Sequence, residues 1–437
     1  MAQMPILVAA NPKLSTGRFL INEEIDYLHY LPSSWWKNES FGQNWRILPM
    51  KITAIKAFWL QVPIPEDKAT VSDFGRNISF NTTLVRVETD EGLVGYGEAK
   101  ATVGSLGNQH ALVTTIEKEL TPLLIGQDPR EITRLWELMY NGSRAHYALS
   151  RGRVFPILGR RGITISAISG IDIALWDILG LSLGVPVHRL LGGKCHERLP
   201  AYASGGWADE KGIGEQLLGY VRQGGFQAVK MRVGVMDGNV MTSVRRVQAA
   251  RQALGEGIEL MVDAHGTYSV SEAKRFCREV ADFRLAWFEE PVSADNKRGC
   301  ADVRASTDIP IAAGESEFTR FDFHDLADLG AVDIFQPDLA ICGGITEGLR
   351  IAALAEAYQL GLTPHMWGGA LMFSAGLQIC AVSPSAFIIE YPLIHNPLHH
   401  ELVVEPITVK DGVIIVPDRP GMGVTINEDF VKKYTIA

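Results

Sequence analysis

The 437-residue sequence predicts an α/β protein built around a β/α barrel, with a smaller α+β unit ahead of it. Three observations predict this. Carboxylates close three apolar runs: Asp263 in LMVDAHG, Glu289 in LAWFEEP and Glu315 in IPIAAGES. Their gaps are equal, 289 − 263 = 26 and 315 − 289 = 26, and about 25 residues make one strand, one helix and two short loops. From about residue 200, short apolar runs also alternate with helical patterns, which indicates a parallel sheet covered by helices. The number of such units favours a closed barrel over an open sheet.

The elements follow in chain order. Residues 1–50 form an irregular N-terminal extension rich in aromatics, among them Tyr27, Tyr30, Trp35, Trp36, Phe41 and Trp45. An α+β unit is expected over 51–190. It opens with a strand in KITAIKAFWLQVPI (51–64), and two more in TTLVRVETDEGLVGYGEA (82–99) join at a tight turn, Asp90-Glu91-Gly92. The polar stretch DKATVSDFGRNISF (67–80) between them reads as a loop long enough to act as a lid. Helical spacing of Ile168, Ile171, Ala174, Leu175 and Ile178 marks a helix near 166–184. The barrel is expected over 191–395. A C-terminal segment, 396–437, regains strand character in VIIVPD and is expected to pack back on the first unit.

Composition narrows the function classes. Apolar residues make up 46% and charged residues 21%, as in ordinary globular proteins. A net charge of −9 offers no field for nucleic acid or an anionic membrane. No window reads as long or apolar enough to span a bilayer. The start, MAQMPILVAANPK, lacks the basic region of a signal peptide. Five cysteines without a CxxC pair read as reduced thiols, so the cytoplasm is the expected location. No correctly spaced GxGxxG or Walker A motif accompanies the strands.

The strand ends carry the chemistry. Three acidic side chains at the C-terminal ends of successive barrel strands converge, and converging oxygens suit a hard divalent cation. Unrelated helix caps are the plain alternative, but they would not repeat at equal intervals. AVKMRV supplies Lys230 and Arg232, two apart and so on one side of a strand. Asp263 is followed by His265. Beyond Glu315 the period continues through Asp338, His365 and Glu390, at intervals of 23, 27 and 25. So many charges at a barrel mouth are costly unless paired or metal-bound. Lys230 and Arg232 could simply neutralise neighbouring carboxylates, and Asp338–His365 could be a structural hydrogen bond. The same bond, however, orients a catalytic imidazole.

The set KxR, DxH, EEP, GES, PDxxxxGG, PH and the late Glu resembles the enolase superfamily, in particular its mandelate racemase-like branch, from about residue 51 to the end. The resemblance implies a (β/α)7β TIM-like barrel with an α+β capping domain. It implies Mg²⁺ held by Asp263, Glu289 and Glu315, with Lys230 near a substrate carboxylate or acting as acid/base. His365, supported by Asp338, would be a base on the opposite face, and Glu390 would hydrogen-bond the carboxylate as it becomes an enediolate. HNPLHHELVVEP with PDRPGMGVTIN is similar to acid-sugar dehydratases and sugar-lactone cycloisomerases of this branch. A homo-oligomer is expected by analogy alone.

Two departures set the expected reaction. Where the family commonly has KxK, this chain has Lys230-x-Arg232, and an arginine stays protonated and clamps rather than abstracts protons. His265 stands where racemase-like sequences more often have Asn, and in related dehydratases it protonates a departing hydroxyl; orienting a metal ligand is its other reading. The expected function is therefore a lyase that takes the α-proton of a sugar acid through His365 and eliminates the β-hydroxyl, leaving a 2-keto-3-deoxy acid. A cycloisomerase comes second and an epimerase third. A silent binding scaffold is the reading from another class, and the intact set of charges argues against it. Substrate contacts are expected near 65–80 and 100–110, with Arg76 and His110 as candidates.

Overall fold

A computed structural model describes residues 50–66, 69–72, 75–101, 107–142 and 159–436. The N-terminal extension therefore lies outside the described residues. The capping part holds an antiparallel sheet, β1 (Ile52–Pro63), β4 (Ser79–Thr89) and β5 (Val94–Ala99), in the order β1-β4-β5. The expected loop at 67–80 is instead largely a small hairpin, β2 (Thr70–Ser72) with β3 (Gly75–Asn77). Gly75 opens β3 at a φ of +95°, a conformation glycine adopts without strain.

The long helix α2 (Ile163–Leu183) covers this sheet, and α1 (Ile132–Asn141) packs against α2. Contrary to the sequence reading, α2 is long and apolar enough to cross a membrane by length and composition. Its best 18-residue window is 78% buried inside the protein, so it serves as a core helix. Small residues let it approach the sheet closely: a Cβ on Gly97 would lie 2.0 Å from the carbonyl oxygen of Gly170.

Eight parallel strands form the barrel: β6 (Arg198–Gly205), β7 (Ala228–Arg232), β8 (Glu259–Asp263), β9 (Leu285–Glu289), β10 (Ile311–Ala313), β11 (Ile334–Phe335), β12 (Gly361–Leu362) and β13 (Ile389–Pro392). They pair in the order β13-β6-β7-β8-β9-β10-β11-β12. A parallel bridge between Leu362 and Ala386, with Leu362 N–H donating to Ser385 O at 2.9 Å, brings β12 to the approach of β13. Seven helices fill the crossovers: α3 (Ile213–Gly224), α4 (Val240–Leu254), α5 (Val270–Glu279), α6 (Lys297–Arg304), α7 (Thr319–Asp328), α8 (Gly344–Tyr358) and α9 (Ala370–Val382). Three of the seven, α4, α5 and α6, start at a side-chain cap, from Asn239, Ser269 and Asn296. The Ser269 hydroxyl accepts from the Glu272 N–H while Glu272 reaches back to the Ser269 N–H, closing a capping box on α5.

The side chains of alternating strand positions divide into two layers. Val229, Met231, Leu260, Val262 and Phe288 face the helices and join the main core. Tyr202, Ala228, Met261, Trp287, Ala312 and Ile334 form a separate apolar cluster. Two residues beyond members of that cluster come Lys230, Asp263, Glu289 and Gln336. The period of two thus carries the apolar plug upward into the polar mouth.

The C-terminal segment divides its contacts. β14 (Val413–Ile415) pairs antiparallel with β6 of the barrel, while α10 (Glu428–Tyr434) packs on β1 of the capping sheet. Thr435 bridges to Leu60, and Ile436 N–H donates to Trp59 O at 2.8 Å.

Candidate active site

β7, β8 and β9 end in register, with Arg232 beside Asp263 and Asp263 beside Glu289. Glu315 lies two residues past β10, and Asp338 and His365 each lie three past β11 and β12. Glu390, by contrast, is the second residue of β13. The structure brings all nine predicted residues to one end of the barrel even though they occupy different strand positions.

One carboxylate oxygen each from Asp263, Glu289 and Glu315 falls within 4.8 Å of the others, and all three residues are buried. Three clustered hard oxygens fit a divalent cation. Gln336 orients Glu289 by donating Nε2–H to its Oε2 at 2.7 Å, while its own buried Oε1 has no hydrogen-bond partner among the described residues. Trp287 Nε1–H donates to the same Glu289 oxygen at 3.1 Å. Burial, reinforced by Asp263, pushes Glu289 up to about 7 against the pull of Lys230.

Cations surround the carboxylates. Lys230 Nζ lies 2.6 Å from Glu289 Oε1, 2.9 Å from Glu390 Oε1 and 3.8 Å from Asp263 Oδ2. Burial works against its charge, but Glu289 and Glu390 outweigh burial and hold its pKa well above the lysine range. Arg232 Nη1 is 2.7 Å from Asp263 Oδ2. Glu390 is also buried, yet Lys230 and His365 bring it down to about 2. Its oxygens accept from Met366 N–H at 2.8 Å and Trp367 Nε1–H at 3.0 Å.

Two imidazoles flank Glu315. His265, at a φ of +51°, donates its backbone N–H to Asp263 Oδ1 at 2.8 Å. Its Nε2 lies 2.9 Å from Glu315 Oε1, so the ring carries its proton there, since a carboxylate only accepts. His365 donates Nδ1–H to Asp338 Oδ2 at 2.9 Å, and its Nε2 lies 3.5 Å from Glu315 Oε2, too far for a good hydrogen bond. Burial lowers the basicity of His365, but Glu315 and the bond to Asp338 raise it overall.

Several residues escaped the sequence reading. Glu290, the second Glu of EEP, is buried with Oε1 unpartnered among the described residues; burial first and Glu315 second raise its pKa well above the usual range. It groups with His265 and Glu315 as a second set of possible ligands. Lys100 reaches Asp338 Oδ2 at 3.2 Å from the capping part. The signal for Lys100 was present in GEAK, where Glu98 and Lys100 are spaced like Lys230 and Arg232. Arg76 pairs with Glu66 on the surface, and the His110 ring packs edge-on against Trp59; neither lines the cavity beside the dyad.

Residues 212–430 match the family model of the enolase C-terminal domain-like fold, and 64–192 match the mandelate racemase/muconate lactonizing enzyme N-terminal domain. The D-galactarolactone cycloisomerase of Agrobacterium fabrum is 35% identical over 399 residues, spanning 88% of this chain and 99% of the relative. A D-galactonate dehydratase of Ralstonia pickettii is 38% identical over 362 residues, 80% of this chain and 89% of the relative. A crystal structure of a racemase from Streptomyces coelicolor A3(2) with bound magnesium superposes at a TM-score of 0.76 and 33% identity, covering 88% of this chain and all of that one (100%). With both halves matched and the carboxylate cluster at the barrel mouth, the chain belongs to the mandelate racemase/muconate lactonizing enzyme family of the enolase superfamily.

Proposed function

We propose that this protein is a Mg²⁺-dependent acid-sugar dehydratase that converts a sugar acid to its 2-keto-3-deoxy acid. The observation that carries this reading is the pair of imidazoles on either side of Glu315, one with its proton on Nε2 and one holding Nδ1–H to Asp338. Asp263, Glu289 and Glu315 would hold the cation. When bound, it supplies positive charge to the substrate carboxylate, where removal of the α-proton deposits a second negative charge.

The remaining work falls to this chain's own side chains. His365 Nε2 takes the α-proton, and the C–H electrons move towards the carboxylate. Asp338 stabilises the imidazolium that results. Lys230, fixed by Glu390, offers its ammonium to the carboxylate oxygens, and Arg232 adds a cation that gives up no proton. The β C–O bond then breaks, and His265, acting as an imidazolium, gives its Nε2 proton to the departing hydroxyl to release water and is left neutral. The enol left behind tautomerises to the keto acid.

A cycloisomerase is the second reading, favoured by the Agrobacterium relative, which spans more of this chain than the dehydratase does. The first proton abstraction is the same, but a ring oxygen leaves and stays attached. Incubation with Mg²⁺ and a panel of acid sugars and sugar lactones tests both. A semicarbazide-reactive product lighter by one water supports dehydration, and an isomer of unchanged mass supports cycloisomerisation. Absence of α-proton exchange with deuterated solvent for every member of the panel would overturn the enzymatic reading.

A further inference from the structure

We propose that Lys100, at the end of capping strand β5, is a positioning residue that sets the proton-abstracting dyad. The proposal rests on the reading of His365 as the base. Asp338 Oδ2 accepts two hydrogen bonds, from His365 Nδ1–H at 2.9 Å and from Lys100 Nζ at 3.2 Å. Asp338 Oδ1 accepts from the Ala340 N–H at 2.9 Å, so the carboxylate is held on both oxygens. Lys100 also donates to Trp367 O at 2.8 Å, and its backbone N–H donates to Ala340 O at 3.2 Å. A single capping residue thereby grips the loop after β11, which carries Asp338, and the loop after β12, which carries His365.

Glu98, on the same side of β5, strengthens that grip. It is fully buried and accepts from Gly369 N–H at 2.7 Å and Met372 N–H at 3.0 Å, at the start of α9. Segment 367–372 is thus held by Lys100 at Trp367 and by Glu98 at Gly369 and Met372. The Lys100 side chain is one-fifth exposed and lines a cavity of about 110 Å³ with Asn81, Trp367, Asn396 and His400.

Two physical effects follow. A third hydrogen bond on Asp338 restricts its rotamer and so fixes the direction of the His365 ring, and a misdirected base loses rate rather than affinity. The ammonium also shares the charge of Asp338, which offsets part of that carboxylate's pull on the imidazole. The capping strand thus contributes to the chemistry of the barrel and does more than cover the substrate.

The test uses the full-length Mg²⁺-loaded protein as wild type, Lys100→Met and Lys100→Arg. Steady-state kinetics are measured on whichever acid sugar is turned over, together with the low-field proton resonance of His365 Nδ1–H, assigned by its loss in His365→Asn. Lys100→Met is expected to lower kcat by about tenfold or more with KM changed by less than about twofold. Lys100→Arg should recover most of the rate, and the Nδ1–H resonance should move in the Met variant only. Unchanged kcat in Lys100→Met, or a rise in KM alone, overturns the proposal and makes Lys100 at most a substrate contact. If wild type exchanges no α-proton with any acid sugar, the reading of His365 as base fails instead. The resonance still decides the role of Lys100 in that case: a shift in the Met variant upholds it, and an unmoved line overturns it.

Discussion

Glu315 sits between two imidazoles whose protons are placed differently, and the proposed roles rest on that difference. Replacing His365 with Asn keeps a hydrogen bond to Asp338 but removes the basic nitrogen. α-Proton exchange should fall by at least about 10²-fold, read by NMR in deuterated buffer, with melting temperature nearly unchanged. The carboxylate triad makes a separate prediction. A cation that binds only the folded chain stabilises it by about 2.7 kcal/mol at a hundredfold excess over Kd. Thermal melts should therefore rise with added Mg²⁺ in wild type and not in Glu289→Gln; equal shifts in both would place the cation elsewhere. Of these residues, Asp263, Glu289, Glu315, Asp338, His365 and Glu390 were legible because each closes an apolar run at intervals of 23 to 27 residues. Glu290 and Gln336 were not assigned, since an adjacent acid and an amide carry no periodic signal.

Among the elements, the contact of α2 with β5 depends on having no side chain in the way. Gly97 and Gly95 would put a Cβ 2.0 Å and 2.4 Å from helix carbonyl oxygens, and backbone cannot swing aside as a flexible side chain can. Gly97→Ala should cost about 1–3 kcal/mol or more in urea unfolding, whereas Gly92→Ala meets no atom within 4 Å and suffers only from its φ of +77°. Comparable losses would show that the close approach is unimportant. The strand containing Gly97 continues to Glu98 and Lys100, so this packing also fixes where the capping part enters the site. Sequence periodicity located α2 and β5, but not the glycine contact that joins them, because close approach involves residues about 75 apart in the chain.

Across the whole molecule, Asp177 binds three separate segments together. It lies buried on α2, accepts from Tyr96 N–H of β5 at 3.0 Å, and accepts from Met422 N–H of the C-terminal segment at 2.8 Å. Burial outweighs these bonds and raises its pKa from 3.8 to about 6. A raised folded-state pKa means the folded protein holds the proton more tightly. The stability this contributes is full below pH 3.8 and is lost as pH rises through 6. Asp177→Asn should therefore be less stable than wild type near pH 4, and the difference should shrink by on the order of 2–3 kcal/mol by pH 7. A difference constant with pH would refute this assignment. His399 has the opposite sign. Burial, helped by His400, lowers its pKa to about 3, so it favours folding above pH 6.5 and its contribution is lost as pH falls towards 3.

Read alone, the chain disclosed the repeat, the barrel, the acidic triad and the dyad, because strand and helix lengths impose a period that side-chain chemistry then marks. Strand alternation put Lys230 and Arg232 on one side of a strand, and the 26-residue interval placed Asp263, Glu289 and Glu315. Folding decided what depends on distance across the chain. It put Lys100 on Asp338, 238 residues away, and turned the two imidazoles towards one carboxylate. It also made an apolar helix part of the core. Periodicity reports which way a side chain points along its own element, but the partner it meets is set by how the elements pack.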